Sequence, residues 1–528
     1  MKHAYTYNNF ITALLTLVSI MFLMLKFNLN LSMQTLVCVI LIALYISLLN
    51  TYKISLRGGA HLISAVALLF ALVISGIGAD FQTNVRDNVF ALGTSLFAAL
   101  AITFIPYKSR RNVMLVPVFG GLLIFIIIST ALSGDNIRNF LSSDAFERLT
   151  LDITAVSGYL TLVFPLALFF AYKNRGRKIF TFLALAVFGG VLITRSFNAI
   201  ILASFCFVLY ALFSFKKYKA LKIVLISGYC LIFLKTLFSS IRQNAYGFQI
   251  ALEMLKGNMA RGIGFGNYGA FFDYYSYNAP VGAHVNNVFL EFLTTAGILG
   301  LAALVLYLCV FYIAVSRKIE KDSLALFITI SATSFIIYNT ASASFFWPSN
   351  MFLFFVVTMC TFKTRKTRRP MVAIKPFKAK LLAIMPFKNA TKPVKGNIAS
   401  ARLRSGMPFY LRAVLFVILA VLVSKPMFAD RFAAMAVEHY IRGNYTRSTL
   451  LLNNAVILDP KNPTFLLRLA NSYFGMFSVT RNIKYLFLAL DANIEAAERF
   501  RHSRAISDSL YNYYAILEEL KVYYPFLF

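Results

Sequence analysis

Apolar runs nearly free of charge recur at 10–26, 33–49, 60–78, 89–106, 113–133, 154–172, 179–193, 199–215, 221–238, 288–314, 323–342, 345–362 and 411–428. About 20 apolar residues cross a bilayer core as a helix, and only helices or closed barrels satisfy their backbone there. With 59% of residues hydrophobic and 14% charged, neither a disordered chain nor an ordinary soluble globule fits. The expected fold is an all-α polytopic membrane protein with about 12 transmembrane helices, and a thirteenth leading to a tetratricopeptide-like helical tail. The first run lacks a small-residue cleavage site and reads as a retained helix rather than a signal peptide.

The net charge of +32 would suggest nucleic-acid binding in a soluble chain. Its distribution says otherwise. Basic residues gather in the connections after even-numbered runs: Lys53 and Arg57; Lys108, Arg110 and Arg111; Lys173 to Lys178; Lys216 to Lys222; Arg317, Lys318 and Lys321. The short connections on the other side hold Arg86, Arg138, Arg148 and Arg195 beside Asp80, Asp87, Asp135, Asp144, Glu147 and Asp152. Basic loops stay in the cytoplasm, so the N-terminus is expected inside. The inner face then holds 31 Lys or Arg against Glu320 and Asp322, and the charge is a topology signal. The five cysteines all lie in apolar runs, which leaves no disulfide framework and no CxxC metal site.

This divides the chain into a membrane domain over 1–362 with an outer loop at 239–287, a linker at 363–410, a last transmembrane helix at 411–428 and an outer helical domain at 429–528. The linker carries thirteen Lys or Arg and no acid through residue 404, and reads as a segment lying on anionic lipids. In the tail, Ala436, Tyr440, Gly443, Tyr445, Leu451, Ala455, Leu458, Asp459, Pro460, Ala470 and Tyr473 fall as in a tetratricopeptide repeat. That tail reads either as a docking module for a protein partner or as a cap on the membrane part.

The outer loop is where chemistry is expected. Ile241, Ala245, Phe248, Leu252 and Leu255 recur at helical spacing, which predicts an amphipathic helix at the membrane surface. A flexible, glycine-rich turn follows in Arg261-Gly-Ile-Gly-Phe-Gly-Asn267. Gly264, Gly266 and Gly269 match the dinucleotide spacing, but no strand precedes them, so that reading is rejected. Beyond the loop, His284, Asn286, Asn287 and Glu291 sit at the mouth of the tenth run. A carboxylate one turn inside an apolar helix either faces the bundle interior or snorkels to the interface. Arg195, between two apolar runs, expects an anionic partner. Tyr246, Tyr268, Tyr274, Tyr275 and Tyr277 form an aromatic cluster that either contacts sugar rings or anchors the loop at the interface.

Taken together, Arg242, the Gly262-Ile-Gly-Phe-Gly-Asn267 turn, His284 to Leu290 and Gly297-Ile-Leu-Gly-Leu301 resemble the family of O-antigen ligases, Wzy-type polysaccharide polymerases and protein O-oligosaccharyltransferases. The likeness covers roughly residues 180–365. It implies transfer of glycan from an undecaprenyl-diphosphate carrier to an acceptor hydroxyl, on the periplasmic side of a bacterial inner membrane. It also implies no cofactor, metal or nucleotide sugar. The acceptor would be a glycan, lipid A core or protein. Arg242 matches the arginine that starts the family's loop helix, and Arg195 approximates the one ending the seventh span, with Thr194-Arg195-Ser196 in place of Ser-Arg-Gly. Counting back from Gly297 puts Asn286 where the family histidine stands; Asn287 matches, and His284 lies two positions earlier. Either His284 serves as the base or Asn286 orients the acceptor without one.

The expected catalytic residues are therefore His284, Arg242 and Glu291, and the expected substrate-binding residues are Arg195, Arg261, Asn286, Asn287 and Tyr268, with Asp273 as a further candidate base. Guanidiniums hold a diphosphate leaving group bidentately and stabilise the charge it gains in the transition state. The alternative is a transporter or flippase of lipid-linked oligosaccharide, which also needs cations facing anionic headgroups. Transporters often show related halves and midplane charges. No internal repeat is evident here, and the polar residues gather at one face.

Overall fold

The computed structural model describes residues 60–77, 79, parts of 85–99, and, with short gaps, 107–134, 153–214, 218–275, 284–362, 428–499 and 504–523. The apolar runs at 10–26 and 33–49, the basic linker and residues 411–427 lie outside these, as do 276–283 of the outer loop. Among the described residues the chain is all-helical. The helices are α1 (Ala60–Ser75), α2 (Tyr107–Gly134), α3 (Ile153–Lys173), α4 (Lys178–Ile193), α5 (Phe197–Ser214), α6 (Tyr218–Gln243), α7 (Ala245–Asn258), α8 (Tyr268–Tyr275), α9 (Val288–Ser316), α10 (Ser323–Tyr338), α11 (Pro348–Met359), α12 (Tyr445–Leu458), α13 (Pro463–Thr480), α14 (Ile483–Arg499) and α15 (Arg504–Tyr523).

Three of them, α3, α5 and α9, are long and apolar enough to cross a membrane, and shorter apolar helices accompany them, which is compatible with a membrane protein. Where each apolar helix sits follows from which of its faces the bundle covers. α3 is apolar all round and buried without interruption from Val156 to Ala171, as the central helix of a bundle must be. Around it pack α2, α4, α5 and α10. The outer helices bury one stripe and expose another that is equally apolar. On α4, Leu183, Ala184, Val187 and Val191 are buried while Ile179, Phe182, Leu185 and Leu192 are exposed. α1 repeats the pattern with Leu68 and Leu72 inside and Ile63, Phe70 and Val73 outside. Exposed faces of this kind suit hydrocarbon rather than water.

Hydroxyls join the helices across the dry interior. The Tyr229 and Ser334 hydroxyls lie 2.6 Å apart, as do those of Tyr307 and Thr358, and the Tyr159 hydroxyl donates to the Pro117 carbonyl at 2.8 Å. At one end of the bundle, Arg110 is fully buried and donates to the carbonyls of Cys360 (2.9 Å) and Phe362, while Lys318 donates to Thr361. Two charges read from sequence as markers of sidedness therefore also close the C-terminal end of α11, where cations complement orphan carbonyls. The apolar run at 345–362 contains a 3-10 turn at Ser344–Phe346, and α11 begins only at Pro348, a residue suited to the first position of a helix.

In the tail, α12 to α15 pack in chain order. α12 and α13 approach closely because Gly475 faces the Tyr445 ring, where a Cβ would lie 2.5 Å from a ring carbon. Asn444 and Asn462 cap α12 and α13 through their side chains.

Replacing Arg110 by Met should cost about 3 kcal/mol, because charge-assisted bonds are lost and buried carbonyls are left unpaired. A drop of several degrees in thermal midpoint, measured on protein in detergent micelles, is the expected result. Arg110→Lys should recover part of it.

Candidate functional site

The site is organised by a break in α9. Gly297 adopts φ 68° and ψ −171°, so the helix stops propagating there and resumes beyond it. In an unbroken helix the carbonyls of Thr294 and Thr295 would accept from residues 298 and 299. Here they accept from Ile263 N–H (3.1 Å) and Gly264 N–H (2.9 Å), and Ile298 N–H donates to Met259 carbonyl (3.0 Å). Two glycines permit this approach. A Cβ on Gly262 would lie 2.4 Å from the Thr295 carbonyl, and one on Gly297 would lie 2.3 Å from the Ala260 oxygen. Phe265 N–H also donates to Ser75 Oγ (3.2 Å), which ties the turn to the end of α1. The glycine-rich segment expected to be flexible is thus pinned between two helices.

The helix before it also differs from the sequence expectation. Arg242 belongs to the last turn of α6, and α7 begins separately at Ala245. The buried stripe of α7 is Ile250, Ala251, Met254 and Leu255, whereas Leu252 is exposed. Ile250, Ala251 and Met254 pack into a protein core, so α7 buries that face against the chain rather than against lipid.

Ahead of α9 the chain turns sharply at Asn286, whose φ of 58° lies in the left-handed region that asparagine tolerates. Asn287 then caps the helix: its Oδ1 accepts from Phe289 N–H (3.1 Å) and Leu290 N–H (3.0 Å), and its Nδ2 donates to Thr340 carbonyl (3.0 Å). The turn carries His284 and Val285 back over the first turn of α9 onto Glu291. Glu291 is 1% exposed, and both of its oxygens are engaged, Oε1 with His284 Nδ1 at 2.6 Å and Oε2 with Val285 N–H at 3.2 Å. The imidazole also stacks on Phe346, with centroids 5.1 Å apart and planes 11° from parallel. A carboxylate on Nδ1 fixes the tautomer that keeps Nε2 basic, and stabilises the imidazolium formed when a proton is taken.

The segments that carry Arg195 and Arg242 join this place through one turn, 338–340, at the end of α10. Ser196 Oγ donates to the Tyr338 hydroxyl (3.4 Å), Thr236 Oγ1 pairs with Thr340 Oγ1 (3.0 Å), and Val288 N–H donates to Asn339 carbonyl (2.9 Å). The segment bearing Arg195, the helix bearing Arg242 and the start of α9 therefore meet at the same three residues. Arg195 is exposed, with φ 55°, between α4 and α5. Arg242 is exposed on α6.

Lys235 is a residue that sequence reading missed. Its ammonium lies 4.4 Å from the centroid of the Phe197 ring, next to the Ser196 turn. Seven residues before Arg242, it shares a helix face with it, and that spacing inside an apolar run was the available signal.

The other expected residues fall elsewhere. Arg261 is exposed and donates to the Ile77 carbonyl at 3.4 Å, beyond the end of α1. Tyr268 is 1% exposed and donates to Gly247 carbonyl at 3.1 Å. Burial, and then the charge of Glu291, push its phenol above the ordinary tyrosine range, which keeps it a donor. Asn287, 4% exposed, spends its amide on backbone. Asn286 is half-buried beside His284. The side chains of Asp273, Tyr274 and Tyr275, and Tyr277 entirely, lie outside the described residues.

Gly297→Ala combines a left-handed φ with a collision against backbone, and should destabilise the turn by about 3 kcal/mol. Trypsin should then cut faster at Lys256 and Arg261, whereas Gly257→Ala, where a Cβ meets nothing within 4 Å, should digest like the parent. No protein-family model, curated protein or solved structure matches this chain, and the site stands on its geometry.

Proposed function

We propose that this chain is a membrane glycosyltransferase that moves or polymerises glycan from an undecaprenyl-diphosphate carrier onto an acceptor hydroxyl, on the outer side of a bacterial inner membrane. The observation that carries this reading is the pair of half-buried His284 and buried Glu291, joined through residues 338–340 to the segments bearing Arg195, Lys235 and Arg242. A base and a set of cations at one end of a bundle are what attack on a sugar diphosphate requires.

In this reading His284, oriented by Glu291, takes the proton from the acceptor hydroxyl as its oxygen attacks the anomeric carbon. The bond from that carbon to the diphosphate breaks, and Arg242, Arg195 and Lys235 hold the departing anion. The charge on the leaving group grows along this path, so fixed cations stabilise the transition state more than the ground state. Asn286, half-buried two residues from His284, would orient the acceptor.

The twelve-span topology with the N-terminus inside belongs to the same proposal. Arg110, Lys318 and Phe362 meet at one end, whereas Ser196, Thr236, Asn287 and Tyr338 meet elsewhere, and the two groups sort as the inner and outer connections of the sequence do. The Gly475–Tyr445 contact and the capped, sequentially packed helices support a tetratricopeptide-like tail.

A flippase is favoured by one observation, the broken α9, since transporters use interrupted helices to bind ions and substrates. Here, however, the carbonyls of Thr294 and Thr295 are taken by the glycine turn.

In a strain lacking the gene, Arg242→Ala should leave the protein in the membrane and lower transfer by a factor on the order of 100 to 1,000, with lipid-linked precursor accumulating. His284→Ala should lower it about 100-fold or more, and Asn286→Ala less. Mature glycan at normal levels in the Arg242→Ala strain would overturn the assignment. On deletion, single repeat units on lipid A would identify a polymerase, and long chains left on undecaprenyl a ligase.

A further inference from the structure

The tail buries two separate apolar faces. One is internal, formed by α12 to α15 and helical residues 428–441 around Leu452, Leu469 and Leu486. The other is a distinct cluster in which Leu466, Ala496 and Ile506, from α13, α14 and α15, pack with Met254, Phe271 and Val285 of the outer loop. All six are almost wholly buried. Residue 496 is an alanine with no exposure. A second contact joins the tail to the rest of the chain where Arg86 pairs with Asp459 at 3.7 Å, just beyond the end of α12.

The loop side of this interface has little core of its own. α7 is a short helix with one apolar face, and α8 spans only Tyr268–Tyr275. A short array of helical hairpins is marginal until it docks on something. The apolar faces of loop and tail complete each other.

The cluster also reaches the chemistry. Val285 belongs to it, follows His284 directly, and donates its N–H to Glu291. Whatever holds Val285 therefore holds the imidazole against its carboxylate.

We infer that the partner of the tail is this chain's own outer loop, and that α13 to α15 act as a clamp positioning His284. Leu466, Ala496 and Ile506 are positioning residues: they act through Val285 rather than on substrate. The docking stands independently of the proposed reaction, whereas the effect on transfer rests on it.

The test uses the full chain in membrane vesicles, with Arg86→Cys and Asp459→Cys joined by a short bis-maleimide. Crosslinking should occur in the otherwise unaltered chain, persist with Leu466→Met and be lost with Leu466→Asp, which should also open Lys256 and Arg261 to trypsin. With Leu466→Asp the turnover number for glycan transfer should fall at least tenfold, while KM for the lipid donor stays within twofold because the cations are untouched. Failure of the unaltered chain to crosslink, or protection of the tail face only when another protein is added, would overturn the docking. Lost crosslinking with unchanged turnover would overturn the positioning role. If Arg242→Ala retains transfer, the reaction is misread, and crosslinking with proteolysis still decides the docking.

Discussion

An exchange of backbone hydrogen bonds between the break in α9 and the glycine turn holds the site end of this protein together. A helix interrupted in a dry interior leaves carbonyls that cost free energy unless something donates to them. The turn at 259–264 supplies the donors, and the broken helix returns one through Ile298 N–H. Each segment is unsatisfied without the other, so the loop does not merely rest on the bundle. From that anchor run α7, α8 and the contact with Ser75, and through them the apolar cluster that the tail closes.

The buried carboxylate is intelligible only on this frame. A polar group with 1% exposure is expensive unless its oxygens are engaged, and Glu291 meets the cost with an imidazole nitrogen and a backbone N–H from neighbouring residues. Both partners depend on the left-handed turn at Asn286 and the cap made by Asn287. Asn287 further ties this turn to Thr340, which also holds Thr236 of α6. The polar chain from α6 to α9 thus fixes the spacing between the helix bearing Lys235 and Arg242 and the His284–Glu291 pair, as the proposed transfer requires.

What the sequence made legible were the local consequences of polarity. Uniformly apolar residues place α3 inside, and the position of Glu291 one turn into an apolar helix marks it for an interior. The pairing of Gly262 with Gly297 was hidden, because it joins segments distant along the chain, and a glycine-rich stretch looks the same pinned or loose. The stripe assigned to α7 was out of register: Leu252 faces outward while Ile250 and Met254 face in, since the tail, and not the bilayer, supplies the other half of that core. His284 stands two residues before the position expected from the resemblance, and only the turn at Asn286 shows how it reaches Glu291. Lys235 escaped notice as a lone charge in an apolar run, where its spacing from Arg242 carried the information.

The order of the chain gives the clamp a temporal meaning. Residues 466–506 are synthesised after every residue they hold in place, so the core around Val285 lacks its closing face until the tail has been made and has reached the loop. A partly made or wrongly inserted chain then carries His284 without the packing that seats Val285 and holds the imidazole on Glu291. Completion of the fold and readiness of the site become one event, and the site is ordered only once the tail has closed on the loop.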